Sequence, residues 1–182
     1  VTEKMTEELL KANILHPDID VPGPDMGTDA EVMYWMHNTV ADLNQISRNI
    51  ANTTAVVTGK PVEYQGIPGR DDATARGLLI QLVEYLRLAG NSWGGSRPSV
   101  AIQGFGNVGA HTARLAPEFG FNVVAVSDIR GGILNPRGLN IEKVSSWYEP
   151  RRTFEGFPEA CAITNDDLLL SDADILIAKA GH

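Results

Sequence analysis

The sequence predicts an α/β fold organised on a parallel sheet, and three observations carry that expectation. Val100-Ala101-Ile102-Gln103 suits a buried strand. It runs directly into Gly104-Phe105-Gly106-Asn107-Val108-Gly109, after which residues 110–119 show helical apolar periodicity and Gly120 closes them. A second strand-like run, residues 122–126, leads to Asp128, nineteen positions beyond Gly109. From Ser99 onward the pattern reads strand–helix–strand twice, and alternation of this kind builds parallel sheets.

Strand, Gly-x-Gly-x-x-Gly turn, helix, strand and terminal acid together make the dinucleotide-binding fingerprint, so the sheet is expected to be Rossmann-like. Gly104 can take the backbone angles of the tight turn. Gly106 has no side chain to hold a pyrophosphate away from the backbone, and Gly109 lets the helix pack close to the strand. The free N–H groups and dipole of the helix start favour an anion there. Asp128 can accept hydrogen bonds from a ribose diol. The competing reading is a glycine turn in an ordinary α/β sheet, with Asp128 capping the next turn. The pattern holds roughly four strands where a complete dinucleotide domain has about six, so the fold is expected to be partial at its C-terminal end.

The chain as a whole limits the function classes. It has 182 residues, is 43% hydrophobic and carries a net charge of −8, with a pI near 4.9. That balance argues against a nucleic-acid surface or an anionic membrane face. No apolar run approaches the roughly 20 residues that span a bilayer, and the start, Val1-Thr2-Glu3-Lys4, lacks the regions of a signal peptide. A single cysteine, Cys161, excludes an internal disulfide and a multi-cysteine zinc site. It is expected to be a small core residue beside a strand. A cytoplasmic protein without a metal site fits these features. The chain has no initiator Met, opens inside a predicted helix and closes on Ala180-Gly181-His182 just after a strand, which reads as a fragment.

The elements before the fingerprint follow in order. Residues 2–12 predict a helix with Met5, Leu9 and Leu10 on one face. Residues 14–21 read as extended. Pro22-Gly23-Pro24-Asp25-Met26-Gly27-Thr28 is a stiff, turn-rich loop with Asp25 at its centre. Thr28-Asp29-Ala30-Glu31 reads as a capping box opening a helix with an apolar stripe of Val32, Trp35, Met36, Val40 and Leu43. Residues 44–54 are polar, either a helix continuation or a mobile connection. Val56-Val57-Thr58 predicts a short strand ending in the Gly59-Lys60-Pro61 turn. Residues 65–77 form a glycine-punctuated loop entering an apolar helix that Gly90 can end. Trp93, in the loop that follows, has no assigned role.

Beyond the second strand, residues 127–133 and 135–138 read as turns, 141–148 as a helix and 151–159 as irregular. Residues 160–164 predict a short strand, 165–170 a helical turn or two, and 174–177 a buried strand.

Five separated stretches extend the reading. They are Asp18-Ile19-Asp20-Val21-Pro22-Gly23-Pro24-Asp25-Met26-Gly27-Thr28; Thr58-Gly59-Lys60-Pro61; Gly69-Arg70 with Ala73-Thr74-Ala75-Arg76-Gly77; the strand and glycine turn of residues 100–109; and Val124-Ala125-Val126-Ser127-Asp128. In this order they resemble the glutamate dehydrogenases, within the wider glutamate, leucine, phenylalanine and valine dehydrogenase family. The Pro-x-Pro-Asp loop is similar to the glutamate branch. The resemblance implies an NAD- or NADP-dependent enzyme that reversibly oxidises L-glutamate to 2-oxoglutarate and ammonium by hydride transfer, working as a homohexamer. It also implies that residues 1–60 are the C-terminal part of an α/β substrate domain with its connection, and residues 61–182 an incomplete NAD(P)-binding domain.

By the same resemblance, Asp25 is the catalytic carboxylate that moves protons to and from the amino group and the attacking water. A carboxylate in that role must be held within hydrogen-bond reach; without the flanking motif, a lone Asp25 reads more readily as a turn or cap residue. Arg70 corresponds to the arginine beside the substrate pocket, and an arginine there can equally anchor Asp71 or Asp72. Thr74 corresponds to the threonine at the nicotinamide carboxamide. Gly104, Phe105, Gly106, Asn107, Val108 and Gly109 correspond to the pyrophosphate loop and Asp128 to the ribose contact. Arg130 is close enough in sequence to neutralise a 2′-phosphate, or it is a solvated charge. Asp128 favours NAD, Arg130 blunts that preference, and the choice between NAD and NADP stays open.

The sequence also departs from the family pattern. Gln65-Gly66-Ile67-Pro68 stands where the family has Gly-Gly-Ser-Leu, and Ala178-Lys179-Ala180-Gly181-His182 stands where Pro-Ala-Ala is usual. Lys4, Lys11 and Lys60 lack the glycine-rich context of the family's catalytic and substrate-binding lysines. Asp25 without such a cation is a base lacking its electrophilic partner, so the 182 residues alone are expected to oxidise no glutamate at an appreciable rate. The alternatives are a non-catalytic dinucleotide-binding or assembly module, and a related dehydrogenase acting on a branched-chain or aromatic amino acid.

Overall fold

The computed structural model describes residues 1–90 and 96–178. Trp93 and the tail residues Lys179, Ala180, Gly181 and His182, singled out above, lie outside the described residues. The chain forms two compact units, Val1–Arg70 and Asp71–His182. Compactness thus breaks after Arg70, whereas the functional division drawn from sequence falls after Lys60. Residues 61–66 stay with the first unit because they curl into a 3-10 turn, Val62–Tyr64, closed by the Gly66 N–H donating to the Pro61 carbonyl at 3.0 Å.

The first unit pairs α1 (Thr2–Lys11) with α2 (Ala30–Ser47). Its core is Leu15, Met33, Met36, Val40, Ile50, Val56 and Val57, backed by Leu9, Leu10 and Val32. The buried stripe of α2 is therefore Met33, Met36 and Val40. Trp35 is 42% and Leu43 39% exposed, so the stripe expected from sequence is rotated. The helix starts one residue later than the predicted capping box. Asp29 is the N-cap, accepting the Val32 N–H at 3.0 Å, because the Thr28 hydroxyl is already engaged with the backbone of Asp25.

Residues 14–21 are not extended: the Ile19 and Asp20 N–H groups both donate to the His16 carbonyl, closing a tight reversal. The polar stretch after residue 44 resolves into a last helical turn and a pinned loop. Arg48 takes a left-handed conformation (φ 51°) and the Asn44 amide brackets Ile50, donating to its carbonyl and accepting its N–H. The predicted strand at Val56-Val57-Thr58 is absent. Both valines are buried, yet the segment follows a 3-10 turn, Thr53–Ala55, and among the described residues no strand pairs with it.

The second unit contains α3 (Ala73–Leu88), β1 (Ser99–Gln103), α4 (Asn107–Leu115), β2 (Asn122–Asp128) and β3 (Gly131–Leu134). It continues with α5 (Ile141–Arg151), β4 (Cys161–Ile163), α6 (Asn165–Leu169) and β5 (Ile175–Ala178). The strands form one Rossmann-like sheet in the order β4-β3-β2-β1-β5. β1 runs parallel to β2 and β5, and β3 runs antiparallel to β2 and β4. The strand at 131–134 replaces what the sequence suggested was a turn. Glycines have little intrinsic strand preference. Gly132 belongs there because a Cβ would fall 2.4 Å from the Val126 carbonyl oxygen and 2.7 Å from the Ser127 Cβ.

One face of the sheet packs Val100, Ile102, Val126 and Ile133 against Leu79 of α3, Ala113 of α4 and Val144 of α5. The other packs Ala101 and Ala125 under Leu168 of α6. A register shift, from Val100↔Val123 to Ala101↔Ala125, keeps both alanines on that second face. Two expectations of burial are corrected at the sheet edges. β5 is an edge strand with Leu176 46% exposed, and Cys161 is exposed because it sits on the opposite edge, β4. Among the described residues no helix is long and apolar enough to cross a membrane.

Because the parallel neighbours of β1 lie on opposite sides of it, the connections leaving β1 and arriving at β5 diverge. The carboxyl end of β1 is therefore the switch point of the sheet, the place where open α/β sheets bind ligands. Residues 104–109 begin there.

Candidate functional site

The glycine turn is closed by its own backbone. Gly104 has φ 90°, a conformation that side-chain-bearing residues rarely adopt, and its N–H donates to the Ser127 carbonyl at 2.8 Å. Gly106 is the N-cap of α4 and provides no side-chain acceptor, so the first N–H groups of the helix are left for a ligand. Asn107, exposed, and Val108, half-buried, form the first turn, and the Thr112 hydroxyl holds the Val108 carbonyl at 2.7 Å. A Cβ on Gly109 would lie 1.8 Å from the Gly104 carbonyl oxygen. The closest constraint on Gly109 is therefore the turn itself, with the strand residue Ile102 further off at 3.6 Å. Uncapped N–H groups, the helix dipole and a backbone cradle fit a pyrophosphate.

Phe105 contributes differently from its neighbours. It is 4% exposed, and its ring meets Tyr148 and Phe154 edge-on at 5.1 and 5.2 Å, while Tyr148 and Phe154 lie 4.6 Å apart. The side chain anchors the loop and leaves the backbone to face outward. The same aromatic group reaches Asp128. The Tyr148 hydroxyl donates to Oδ2 of Asp128 at 3.2 Å, and the Arg130 N–H donates to Oδ1 at 2.7 Å. Burial, then the adjacent Asp128 charge, pushes the Tyr148 hydroxyl above its ordinary pKa, so it stays a donor. Each carboxylate oxygen keeps a lone-pair site for a further donor. Asn165 fixes the Asp128 backbone by donating to its carbonyl at 2.9 Å.

Sequence reasoning missed Tyr148 and Phe154. The only signal was the aromatic density of residues 147–157, which has no periodicity that points to a site. A cavity of about 230 Å³ opens beside Asp128 and Arg130, walled by the start of β3, the end of β4 and the segment after α5. Thr74 sits exposed in the first turn of α3, and its hydroxyl has no partner among the described residues. Asp72, offered above as an anchor for Arg70, is instead ion-paired with Arg76 at 2.6 Å.

Asp25 and Arg70 belong to the first unit. Arg70 is exposed at its end, directly after Gly69 (φ 86°). Asp25 is held by its own loop. Its N–H donates to the Thr28 hydroxyl at 2.7 Å, its carbonyl accepts from that hydroxyl at 2.9 Å and from the Thr28 N–H at 3.0 Å, and its Oδ1 accepts the Met26 N–H at 2.7 Å. Oδ2 has no partner among the described residues. The Thr58-Gly59 pair buttresses this loop. The Thr58 N–H donates to the Pro22 carbonyl at 3.0 Å, and a Cβ on Gly59 would strike Pro24 Cδ at 2.4 Å.

Beneath that buttress Lys60 is 7% exposed. Its ammonium donates to the carbonyls of Thr54 at 2.7 Å and Val57 at 3.0 Å, which makes it a structural cation under the loop. His37 has both ring nitrogens buried without a partner among the described residues. Burial, and secondly the charge of Lys60, holds its pKa below the ordinary 6.5. The unfolded chain therefore takes up a proton near pH 6.5 that the folded chain refuses. The associated stability is complete above that pH and is lost as pH falls towards the depressed folded value. Urea midpoints followed from pH 7.5 to 5.5 should fall more steeply for the wild type than for His37→Phe; parallel profiles would remove His37 from the account.

Comparison with known proteins places these features in context. A family model described as Glutamate/Leucine/Phenylalanine/Valine dehydrogenase matches residues 66–181. A glutamate dehydrogenase of Thermotoga maritima is 41% identical over 169 residues, an alignment covering 92% of this chain and 39% of the relative. Among solved structures, a leucine-bound hetero-hexameric glutamate dehydrogenase from Thermus thermophilus superposes with a TM-score of 0.83 at 32% identity, covering 98% of this chain and 40% of its own. A glutamate dehydrogenase from Peptoniphilus asaccharolyticus gives a TM-score of 0.69 at 25% identity, covering 83% of this chain and 38% of its own. The chain spans about two fifths of the length of these relatives.

Proposed function

The chain belongs to the Glutamate/Leucine/Phenylalanine/Valine dehydrogenase family, and from that premise we propose that it is the dinucleotide-binding part, with an adjoining piece of the substrate domain, of an NAD(P)-dependent L-glutamate dehydrogenase. The reaction is reversible oxidative deamination: L-glutamate, water and oxidised cofactor give 2-oxoglutarate, ammonium and reduced cofactor. The observation that carries the reading is the closed glycine turn at residues 104–109. It lies at the switch point of the sheet, with its helix N-terminus uncapped and Asp128 beside it.

A bound NAD or NADP supplies the hydride acceptor. Everything else falls to side chains and backbone of the chain. The N–H groups at the start of α4 hold the pyrophosphate, with Phe105 locking the loop from behind. Asp128 accepts from the ribose diol with the lone pairs that Tyr148 and Arg130 leave free. The Thr74 hydroxyl, unpartnered among the described residues, hydrogen-bonds the nicotinamide carboxamide. Arg70 offers positive charge at the substrate pocket.

Asp25 moves protons between the substrate amino group and water, with Oδ1 pinned by the Met26 N–H and Oδ2 available. The active assembly is a homo-oligomer, a hexamer by the same family relationship.

Reductive amination by the full-length protein tests the substrate assignment. We expect 2-oxoglutarate to be aminated with at least tenfold higher kcat/KM than a branched 2-oxo acid, about 1.4 kcal/mol of discrimination. The reverse preference would move the protein to another branch of the family.

A further inference from the structure

We propose that Glu155 is a specificity-determining residue of the dinucleotide site, excluding a phosphate from the adenosine ribose and so selecting NAD(H) over NADP(H). The proposal rests on the reading of residues 104–109 and Asp128 as that site.

The argument begins with the charges around the cavity beside Asp128, whose walls include Asp128, Arg130, Gly132, Thr153 and Glu155. Among the described residues Arg130 is the only cation lining it, and it is already shared. Its guanidinium lies 3.8 Å from Oδ2 of Asp128, so the two charges offset one another. Glu155 is left over: no ion pair among the described residues engages its carboxylate. The lining therefore carries one net negative charge at the place where a 2′-phosphate would project from a ribose held by Asp128.

The segment bearing Glu155 is also held in place. Its N–H donates to the Thr153 hydroxyl at 3.2 Å. The preceding Phe154 is buried against Phe105 of the glycine turn and Tyr148, the partner of Asp128. Glu155 is thus tied to the same aromatic group that positions both halves of the dinucleotide site. A ribose with free hydroxyls meets Asp128 as an acceptor and leaves Glu155 in solvent. A 2′-phosphate, with a charge approaching −2, meets a second carboxylate beyond Asp128, while Arg152, whose charge reaches Tyr148, is not among the residues lining the cavity.

The test compares NADH and NADPH binding to the purified protein by nucleotide fluorescence, for the wild type, Glu155→Gln and Glu155→Lys. The wild type should bind NADH more tightly. Glu155→Gln should raise NADPH affinity about tenfold, and Glu155→Lys further, with the gain shrinking in high salt as screening sets in. NADH affinity should stay within about twofold throughout, since no contact to the free ribose is altered. Unchanged NADPH affinity in both variants, or equal gains for both nucleotides, would overturn the role of Glu155 while leaving the dinucleotide site intact. Failure of the wild type to bind either nucleotide would overturn the site assignment and this proposal with it.

Discussion

Gly109→Ala is expected to abolish nucleotide binding and to destabilise the second unit by about 3 kcal/mol, the upper end of what one added methyl usually costs in a packed site. The magnitude follows from what the methyl would strike. Its position lies 1.8 Å from the carbonyl oxygen of Gly104. That oxygen cannot swing aside cheaply, because Gly104 is fixed at φ 90° and its N–H is bonded to Ser127. Either α4 moves away from the sheet or the turn opens, and each outcome misplaces the N–H groups proposed to hold the pyrophosphate. Gly77→Ala is the matched control. A Cβ there meets nothing within 4 Å and the residue lies inside α3, so the change should stabilise by about 1 kcal/mol. Urea denaturation and NADH titration of both variants decide the matter. A wild-type midpoint and wild-type affinity in Gly109→Ala would show that the turn is not the rigid cradle described above.

Asp25→Asn should lower kcat of the full-length protein by about 10²- to 10⁴-fold, the range for losing a positioned general acid–base group. The amide keeps the shape of the side chain and the acceptor for the Met26 N–H, so the loop should survive. What is lost is the ability to take up and return a proton. Cofactor affinity should be unchanged, because the substitution leaves the glycine turn and Asp128 alone. The stiffness of the loop is part of this prediction. Thr28, Thr58 and Gly59 hold Asp25 in place through backbone contacts that the substitution does not touch, so a fall in activity would report chemistry rather than collapse. A kcat within a few-fold of wild type would reduce Asp25 to a turn-forming residue.

The features legible in the sequence share one property: their signals are local. The helices α1, α3 and α4 follow from apolar periodicity and from the residues that start and stop them. β1 and β2 follow from short apolar runs bounded by turn residues. The glycine turn follows from a spacing that only a tight strand–helix junction requires. The family resemblance was readable because its motifs are short, ordered and chemically constrained.

Tertiary structure alone decided the rest. β3 exists because Gly131 and Gly132 can lie against Asp128 and Ser127, although neither has any strand preference of its own. Val56 and Val57 look like a strand and are not one, since the chain enters them from a 3-10 turn in which the Val56 N–H turns back to the Thr53 carbonyl. Cys161 and Leu176 are exposed because sheet order puts their strands at the edges, and sequence pattern does not encode an edge. Tyr148, Phe154 and Glu155 come to Asp128 and Phe105 only through the packing of α5 and the segment after it onto the sheet. By itself the sequence determined where the helices run, where β1 and β2 lie and how the glycine turn joins strand to helix, because those are set by neighbours along the chain. Which side chains hold Asp128, and what charge surrounds it, was decided by contacts between residues far apart in sequence, and these exist only once the sheet has formed.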